Sequence, residues 1–254
     1  AGNWLLNRKT IFVSTLLKDD DIDTMLMSWP RPFNNARKYI FSKINLYYAI
    51  NNHFKESWIR IFDEKIPVKL CTQGVDMNKY FPATPKEKKL YRIKYSLPQN
   101  SLLILSVGFL IERKGYRQLF DTLAELEIPF LYVIAGSISA NIYHRSSKKE
   151  LNEMETLFDY GKEKLDNKLL FLGNQKHIRE IYSCADIFLH GAEFEGTPNV
   201  VLEAMACKIP IIMKHLLGLD FLIEDRKNVL LYHSRREMKN HIRELASNPK
   251  QANK

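Results

Sequence analysis

Two glutamates, Glu195 and Glu203, stand eight positions apart across a predicted helix start. Between them run Gly196, Thr197, Pro198, Asn199 and Val200. Thr197 suits an N-cap and Pro198 the first helical position, where a missing N–H costs nothing. Gly196 carries no side chain, so the backbone there can approach a ligand closely. A helix N-terminus offers unpaired N–H groups and a positive dipole end to an anion, a phosphate above all. Carboxylates on either side of it accept hydrogen bonds from paired hydroxyls, as on a sugar or a ribose. The segment reads as phosphate-binding amides flanked by two hydroxyl-binding carboxylates, the chemistry of a nucleotide-sugar site.

The elements that must position these groups form an alternating series from Ser101 onward. Apolar runs at 102–107, 130–135, 169–172, 187–189, 209–213 and 229–232 read as buried strands. Between and after them, 116–126, 147–164, 178–184, 198–207 and 235–246 read as helices. Buried strands alternating with helices predict an α/β fold with a parallel sheet covered on both faces. Such sheets bind ligands at the carboxyl ends of their strands. Gly108, Gly136, Gly173 and the loop 191–197 all follow strands, so they are expected along one edge. The first 95 or so residues differ, with short strands expected at 10–16, 46–50 and 68–71 and a turn-rich, lysine-rich stretch after Gln73 that marks a boundary.

The chain has 254 residues, 45% of them hydrophobic, which supports an ordinary core. No apolar run reaches the ~18 residues of a membrane helix, and no signal-peptide pattern opens the sequence. Cys71, Cys184 and Cys207 are few and widely spaced; they form neither a disulfide framework nor a metal-ligand pattern and point to a reducing cytoplasm. A net charge of +9 fits nucleic acid, an anionic membrane or a phosphate-bearing substrate. No nucleic-acid-binding signature accompanies the charge, which sets that partner aside. Arg31, Arg37, Lys38 and Lys43 interleave with Trp29, Phe33, Tyr39 and Phe41. From 36 to 48 this reads either as an amphipathic helix lying on a membrane or as a helix with a solvated basic face packed on its own domain. The acidic run at 19–23 reads as a solvated loop, and no D-x-D pair falls in a strand-end loop.

These residues together resemble the family 4 retaining glycosyltransferases of the GT-B fold. Gln73-Gly74-Val75-Asp76 resembles the family's N-G-V-D junction, and Val107-Gly108-Phe109-Leu110 through Lys114-Gly115 its V-G-R-L-x-x-x-K-G loop. Phe171-Leu172-Gly173 followed by Ala185-Asp186 resembles its strand-glycine and A-D pattern. Glu195 and Glu203 match its E-x7-E pair, and Ala204-Met205-Ala206-Cys207 with Pro210 its closing E-A-M-A-x-G-x-P. Lys208 stands where the family has glycine, and Phe109 where it has a diphosphate-binding arginine. The resemblance covers roughly residues 66–250.

It implies two Rossmann-like domains facing across a cleft, the second binding the donor. Residues 1–75 are then a partial acceptor-side domain, 76–96 a linker, 97–235 the nucleotide-sugar-binding domain and 236–254 a closing helix and tail. The acceptor-side domain looks short by roughly 100 residues against the usual domain size, so a fragment or a natural truncation is expected, inactive alone if the missing part is essential. The resemblance assigns Lys114 to the diphosphate, with Arg113 a weaker second cation, Glu195 to the sugar hydroxyls and Glu203 to the ribose. Gly108, Gly196, Thr197, Pro198, Asn199 and Val200 complete the donor contacts, and Gly173 and Asn174 open the base-binding loop. His190 is expected to pack or to line the cleft. The implied activity is metal-independent sugar transfer from a nucleotide-diphosphate sugar, a co-substrate rather than a cofactor, to a hydroxyl of a glycan or lipid-linked acceptor. The implied setting is bacterial capsule or envelope synthesis in the cytoplasm, at the inner face of the plasma membrane. The rival expectations are a nucleotide-sugar epimerase on the same fold and a non-catalytic donor-binding fragment.

Overall fold

The computed structural model describes residues 11–13, 30–136 and 148–248. The chain divides into two units. One comprises residues 1–74 with Phe194–Pro198 and Leu216–Ile223; the other comprises Val75–Glu193, Asn199–His215 and Glu224–Lys254.

The larger unit is built on a six-stranded parallel sheet. Its strands are β4 (Leu102–Val107), β5 (Phe130–Ala135), β6 (Leu169–Gly173), β7 (Ile187–His190), β8 (Ile211–Lys214) and β9 (Leu230–Tyr232). They lie in the order β6-β5-β4-β7-β8-β9. The central runs have almost no polar alternation because both faces are covered; Leu103, Ile104, Leu105, Val133, Ile134 and Phe188 are all fully buried. Helices α4 (Tyr116–Ala124), α5 (Lys148–Leu165) and α8 (Arg235–Ser247) supply Phe120, Leu157, Met238 and Ile242 to a core that includes Ile104, Tyr132 and Ile187. Helices α6 (Ile178–Cys184) and α7 (Asn199–Ala206) complete the set. The α/β class, the parallel sheet and its element order agree with the sequence expectation, with end points moved by one or two residues.

The stretch 76–96, expected as a linker, is an integral layer of this unit. Thr84 and Glu87 form a reciprocal capping box that starts α3 (Pro85–Lys94). From α3, Arg92 is nearly buried and donates to the carbonyls of Cys184, Pro98, Gln99 and Ser101 and to Asp186. Asp186 also accepts from Lys88 and from the Leu103 N–H. The A-D pattern read from the sequence thus anchors α3 to the amino ends of β4 and β7. These bonds hold the Asp186 carboxyl below its usual pKa despite the opposing effect of burial.

The smaller unit holds a three-stranded parallel sheet of β1 (Ile11–Val13), β2 (Leu46–Ala49) and β3 (Val68–Leu70), in that order. Tyr47 stacks on Trp58 with ring centroids 4.2 Å apart, and Phe54 and Phe62 close the cluster from α2 (Asn52–Phe62). Helix α1 spans Arg31–Phe41 and stops there, against the expected helical span of 36–48. Leu46 to Ala49 carries strand-forming aromatics whose alternate side chains, Tyr47 and Ala49, are fully buried, so the sheet claims them. The outer residues of the expected strand 10–16 and the acidic run 19–23 lie outside the described residues.

Candidate functional site

The sheet order places the site before any side chain is considered. From β4 the chain moves outward to β5 and β6, then returns to β7 on the other side of β4 and moves outward again. The loops after β4 and β7 therefore part at a topological switch point, where open α/β sheets take their ligands. Gly115 sits there with φ +72°, and a Cβ on it would lie 2.1 Å from the Gly191 carbonyl oxygen. Only glycine allows the two loops to meet so closely. The Glu193 N–H also donates to the Arg113 carbonyl at 3.1 Å.

Along the same edge the strand-end glycines join into a ledge of bare backbone. The Gly108 N–H donates to Ala135 O at 2.9 Å, and the Gly136 N–H to Gly173 O at 2.8 Å. A Cβ on Gly136 would lie 2.1 Å from the Gly108 oxygen. Lys114 crosses the open side of Gly108; a Cβ there would stand 3.7 Å from its Cε and 3.9 Å from its Nζ. The larger unit thus brings Gly108, Arg113, Lys114 and Gly173 to one edge, with the exposed Asn174 following Gly173. Phe109, where the family has arginine, is 38% exposed beside them.

His190 ends β7 under this edge. It is buried, lies parallel to Phe188 at 6.4 Å, and its Nε2 has no hydrogen-bond partner among the described residues. Burial, aided by the Lys114 and Arg113 cations, pushes its pKa down to about 3. It is a neutral imidazole at working pH, packed as the sequence reading expected. Lys214, at the end of β8, pairs with Glu193 at 2.9 Å on the same side.

Helix α7 begins at Asn199, one residue beyond the expected Pro198. Asn199 is exposed and Val200 half-buried at its first turn. Glu203 is half-buried in its second turn and accepts a hydrogen bond from the Tyr182 hydroxyl at 2.8 Å. Tyr80 turns edge-on to Tyr182, with ring centroids 6.1 Å apart, and burial together with the nearby Glu203 raises the pKa of its hydroxyl.

Glu195, Gly196, Thr197 and Pro198 belong to the smaller unit. Asn51 caps α2 by accepting from the Phe54 N–H at 2.8 Å, and its Nδ2 donates to Gly196 O at 3.0 Å. Thr197 gives its hydroxyl proton to Ile50 O at 3.0 Å. That bond draws Thr197 away from the capping role its sequence position had implied. Nothing in the local sequence announced Tyr80, Tyr182 or the second bond of Asn51. The N-cap role of Asn51 was readable from its place before an amphipathic run; its partner 145 positions away was not.

A cavity of about 660 Å³ opens at the other end of the sheet, lined by Leu102, Ile187 and Pro210. Its Lys88 and Arg92 already donate to Asp186 and to backbone carbonyls, so its charged groups are engaged in holding α3 to the sheet. Among the described residues no group of three His, Cys, Asp or Glu could hold a metal, and no helix is long and apolar enough to cross a membrane.

Comparison with known proteins adds a family. Residues 87–254 match the family described as glycosyl transferases group 1. The alpha-galactosylglucosyldiacylglycerol synthase of Streptococcus pneumoniae is 27% identical over 223 residues, covering 84% of this chain and 56% of the relative. The UDP-Gal:alpha-D-GlcNAc-diphosphoundecaprenol alpha-1,3-galactosyltransferase of Escherichia coli is 25% identical over 179 residues, covering 70% and 44%. The chain thus spans about half the length of these curated relatives. Among solved structures, Anabaena HepE in complex with UDP superposes with a TM-score of 0.81 at 20% identity, over 99% of this chain and 66% of that one. Sucrose-phosphate synthase from Thermosynechococcus elongatus gives 0.77 at 20% identity, over 99% and 63%. At this identity the structures establish the fold.

Proposed function

The chain belongs to the glycosyl transferases group 1 family, and from that premise we propose that it carries the donor-binding machinery of a retaining glycosyltransferase. The observation that carries this reading is Lys114 lying across the bare glycine ledge at the switch point of the sheet. A diphosphate needs a cation and close backbone approach, and the ledge offers both. Lys114, seconded by Arg113, would stabilise the charge that grows on the departing diphosphate. Glu195 would accept hydrogen bonds from the donor sugar's hydroxyls and Glu203 from the ribose. The amides of Thr197, Asn199 and Val200 would bind phosphate and sugar oxygens, and the main chain at Gly173 and Asn174 the base. The acceptor hydroxyl attacks the anomeric carbon on the face the diphosphate leaves, and a phosphate oxygen of the leaving group takes its proton. No resident cofactor or metal is required by this scheme, so transfer is expected to persist in EDTA.

The acceptor is proposed to be a glycan or lipid-linked hydroxyl, which fits the two named relatives and an anionic membrane surface as the place of work. Between Asp23 and Glu56 the sequence has no acidic residue but five basic ones: Arg31, Arg37, Lys38, Lys43 and Lys55. Helix α1 exposes Phe33, Tyr39 and Ile40 within that stretch. Basic groups beside exposed aromatics favour anionic headgroups. Binding to phosphatidylglycerol vesicles that weakens with salt, and is absent with phosphatidylcholine, is the expected result.

The donor reading is tested by titrating UDP, GDP, ADP and their glucose conjugates against the full chain, by calorimetry and by melting temperature. At least one nucleoside diphosphate should bind and raise the melting temperature, and Lys114→Ala should weaken it by about 10-fold or more. No binding across the panel sinks the assignment. In an activity assay, radiolabel appearing in an acceptor supports transfer, whereas isomerised donor in its place supports an epimerase.

A further inference from the structure

We propose that Tyr80 and Tyr182 are positioning residues that hold the Glu203 carboxylate for the ribose. This rests on the donor-site reading above and adds two residues to it that need never touch the nucleotide.

Three separate segments converge on one carboxylate. Tyr80 comes from the stretch after Val75, Tyr182 from α6 and Glu203 from α7, all within the larger unit. Tyr182 is fully buried and Tyr80 is 6% exposed, whereas Glu203 is half-buried. The Tyr182 hydroxyl donates to Glu203 Oε2 at 2.8 Å, and the edge-on packing of the two rings fixes Tyr80 beside it. Burial raises the pKa of both hydroxyls, and the neighbouring Glu203 raises them further. Both phenols therefore remain protonated donors throughout the working range.

An ionised carboxylate has about four acceptor positions, so the Tyr182 proton, even joined by that of Tyr80, leaves room for the two hydroxyls of a vicinal diol. A glutamate side chain held in this way has already lost the rotamer freedom that binding would otherwise remove. Two buried phenols could satisfy themselves on backbone carbonyls; Tyr182 has Val200 O at 3.3 Å, yet its shorter contact is to the carboxylate. The arrangement orients Glu203 from below and leaves its other side open to a ligand.

The test uses the full chain with Tyr80→Phe, Tyr182→Phe, the double variant and Glu203→Ala. Each is titrated with UDP, or with GDP should the panel select guanine, and with the matching 2′,3′-dideoxy diphosphate. The double variant should weaken the ribose-bearing ligand by about 5- to 10-fold, within the range for one newly mobile side chain. It should leave the dideoxy ligand within about 2-fold, and neither Tyr→Phe change should add to Glu203→Ala. Equal weakening of both ligands would assign the tyrosines a purely structural role and overturn the proposal. So would unchanged affinity in the double variant while Glu203→Ala weakens binding. Should Tyr182→Phe fail to fold, Tyr80→Phe carries the same comparison from a less buried site. If the wild type binds no nucleoside diphosphate, the donor-site reading itself has failed; if it binds but Glu203→Ala changes nothing, only the ribose assignment has.

Discussion

The two glutamates of the motif are eight residues apart and lie in different units. Glu203 lies on a regular helix of the larger unit, and its carboxylate accepts a hydrogen bond from the Tyr182 hydroxyl. Glu195 lies in a loop counted with the smaller unit, whose next two residues are tied within that unit: Gly196 through its carbonyl to Asn51, Thr197 through its hydroxyl to Ile50. Glu203 receives a buried phenol on its carboxylate, and the loop of Glu195 is fixed along its backbone by the residues that follow it. The first should respond to conservative changes in hydrogen-bonding groups, the second to changes in loop geometry. All three tryptophans, Trp4, Trp29 and Trp58, precede Gly74 in the sequence, and Trp58 is buried in the core of the smaller unit. Tryptophan fluorescence therefore follows one region while far-UV circular dichroism is weighted toward the other.

The largest effect is expected at the ledge of the larger unit. In Gly115→Ala the new Cβ would meet the Gly191 carbonyl oxygen at 2.1 Å, from a φ of +72°. Left-handed strain and overpacking against rigid backbone should together cost about 3–5 kcal/mol. The loss should appear in the circular dichroism melt, with nucleoside diphosphate binding lost as well. A variant that melts like the wild type would show that the loops after β4 and β7 do not meet as described.

Asn51→Ala strikes the other region. It removes the cap of α2 and leaves the buried Gly196 carbonyl without its donor. A lost cap costs about 1 kcal/mol and an unsatisfied buried acceptor about 1–2 more. Tryptophan fluorescence should report the loss. Asn51→Asp separates the two roles, because it keeps the capping acceptor but puts an acceptor against the Gly196 carbonyl. If Asn51→Asp is as stable as the wild type, the bond to the loop contributes nothing and the contrast between the glutamates collapses.

Much of the larger unit could be read from the sequence, because its signals are local. The apolar runs of β4 and β5 need no partner to be recognised, and glycines directly after strands foretold the ledge. Lys114 was assigned by resemblance to a family motif that lies within one loop. The features that escaped depend on residues distant in sequence. Arg92 reads as one more lysine-helix cation until the carbonyls at 98–101 and 184 surround it. Thr197 looked like a cap because its neighbours fit one, and only the position of Ile50 redirects its hydroxyl. Helix α1 was expected over 36–48 but spans Arg31–Phe41. The strand expected at 46–50 forms as β2, so the alternating burial of Tyr47 and Ala49 outweighs the helical reading there.

A pH titration sharpens the picture of the ledge. His190 is held neutral in the folded chain down to a pKa of about 3, whereas the unfolded chain takes up the proton near 6.5. Between these values the unfolded state binds more protons, so stability falls as pH falls. At pH 5 this should amount to about 2 kcal/mol relative to neutral pH. His190→Leu should remove that part of the acid slope while the contribution of carboxylates such as Asp186, lost at lower pH, remains. An unchanged slope between pH 7 and 5 would mean that His190 is protonated in the folded protein, with the cations of Arg113 and Lys114 too far away to oppose it.

The smallest effect concerns the far end of the helix that carries Glu203. Lys208 has φ +55°, with the Ile209 N–H reaching back to Ala204 O and the Cys207 N–H to Glu203 O. This is the left-handed C-terminal turn that glycine adopts without penalty. Lysine there should cost about 1 kcal/mol or slightly more, while glycine would cost about 0.4–1 kcal/mol through the greater freedom of the unfolded chain. Lys208→Gly should therefore stabilise by about 0.5 kcal/mol, a rise of about 1–2 °C in melting temperature. It should leave nucleoside diphosphate affinity unchanged, because the turn lies beyond the residue the tyrosines hold. A change in affinity would mean that the helix end, and not the tyrosine pair, sets the position of Glu203.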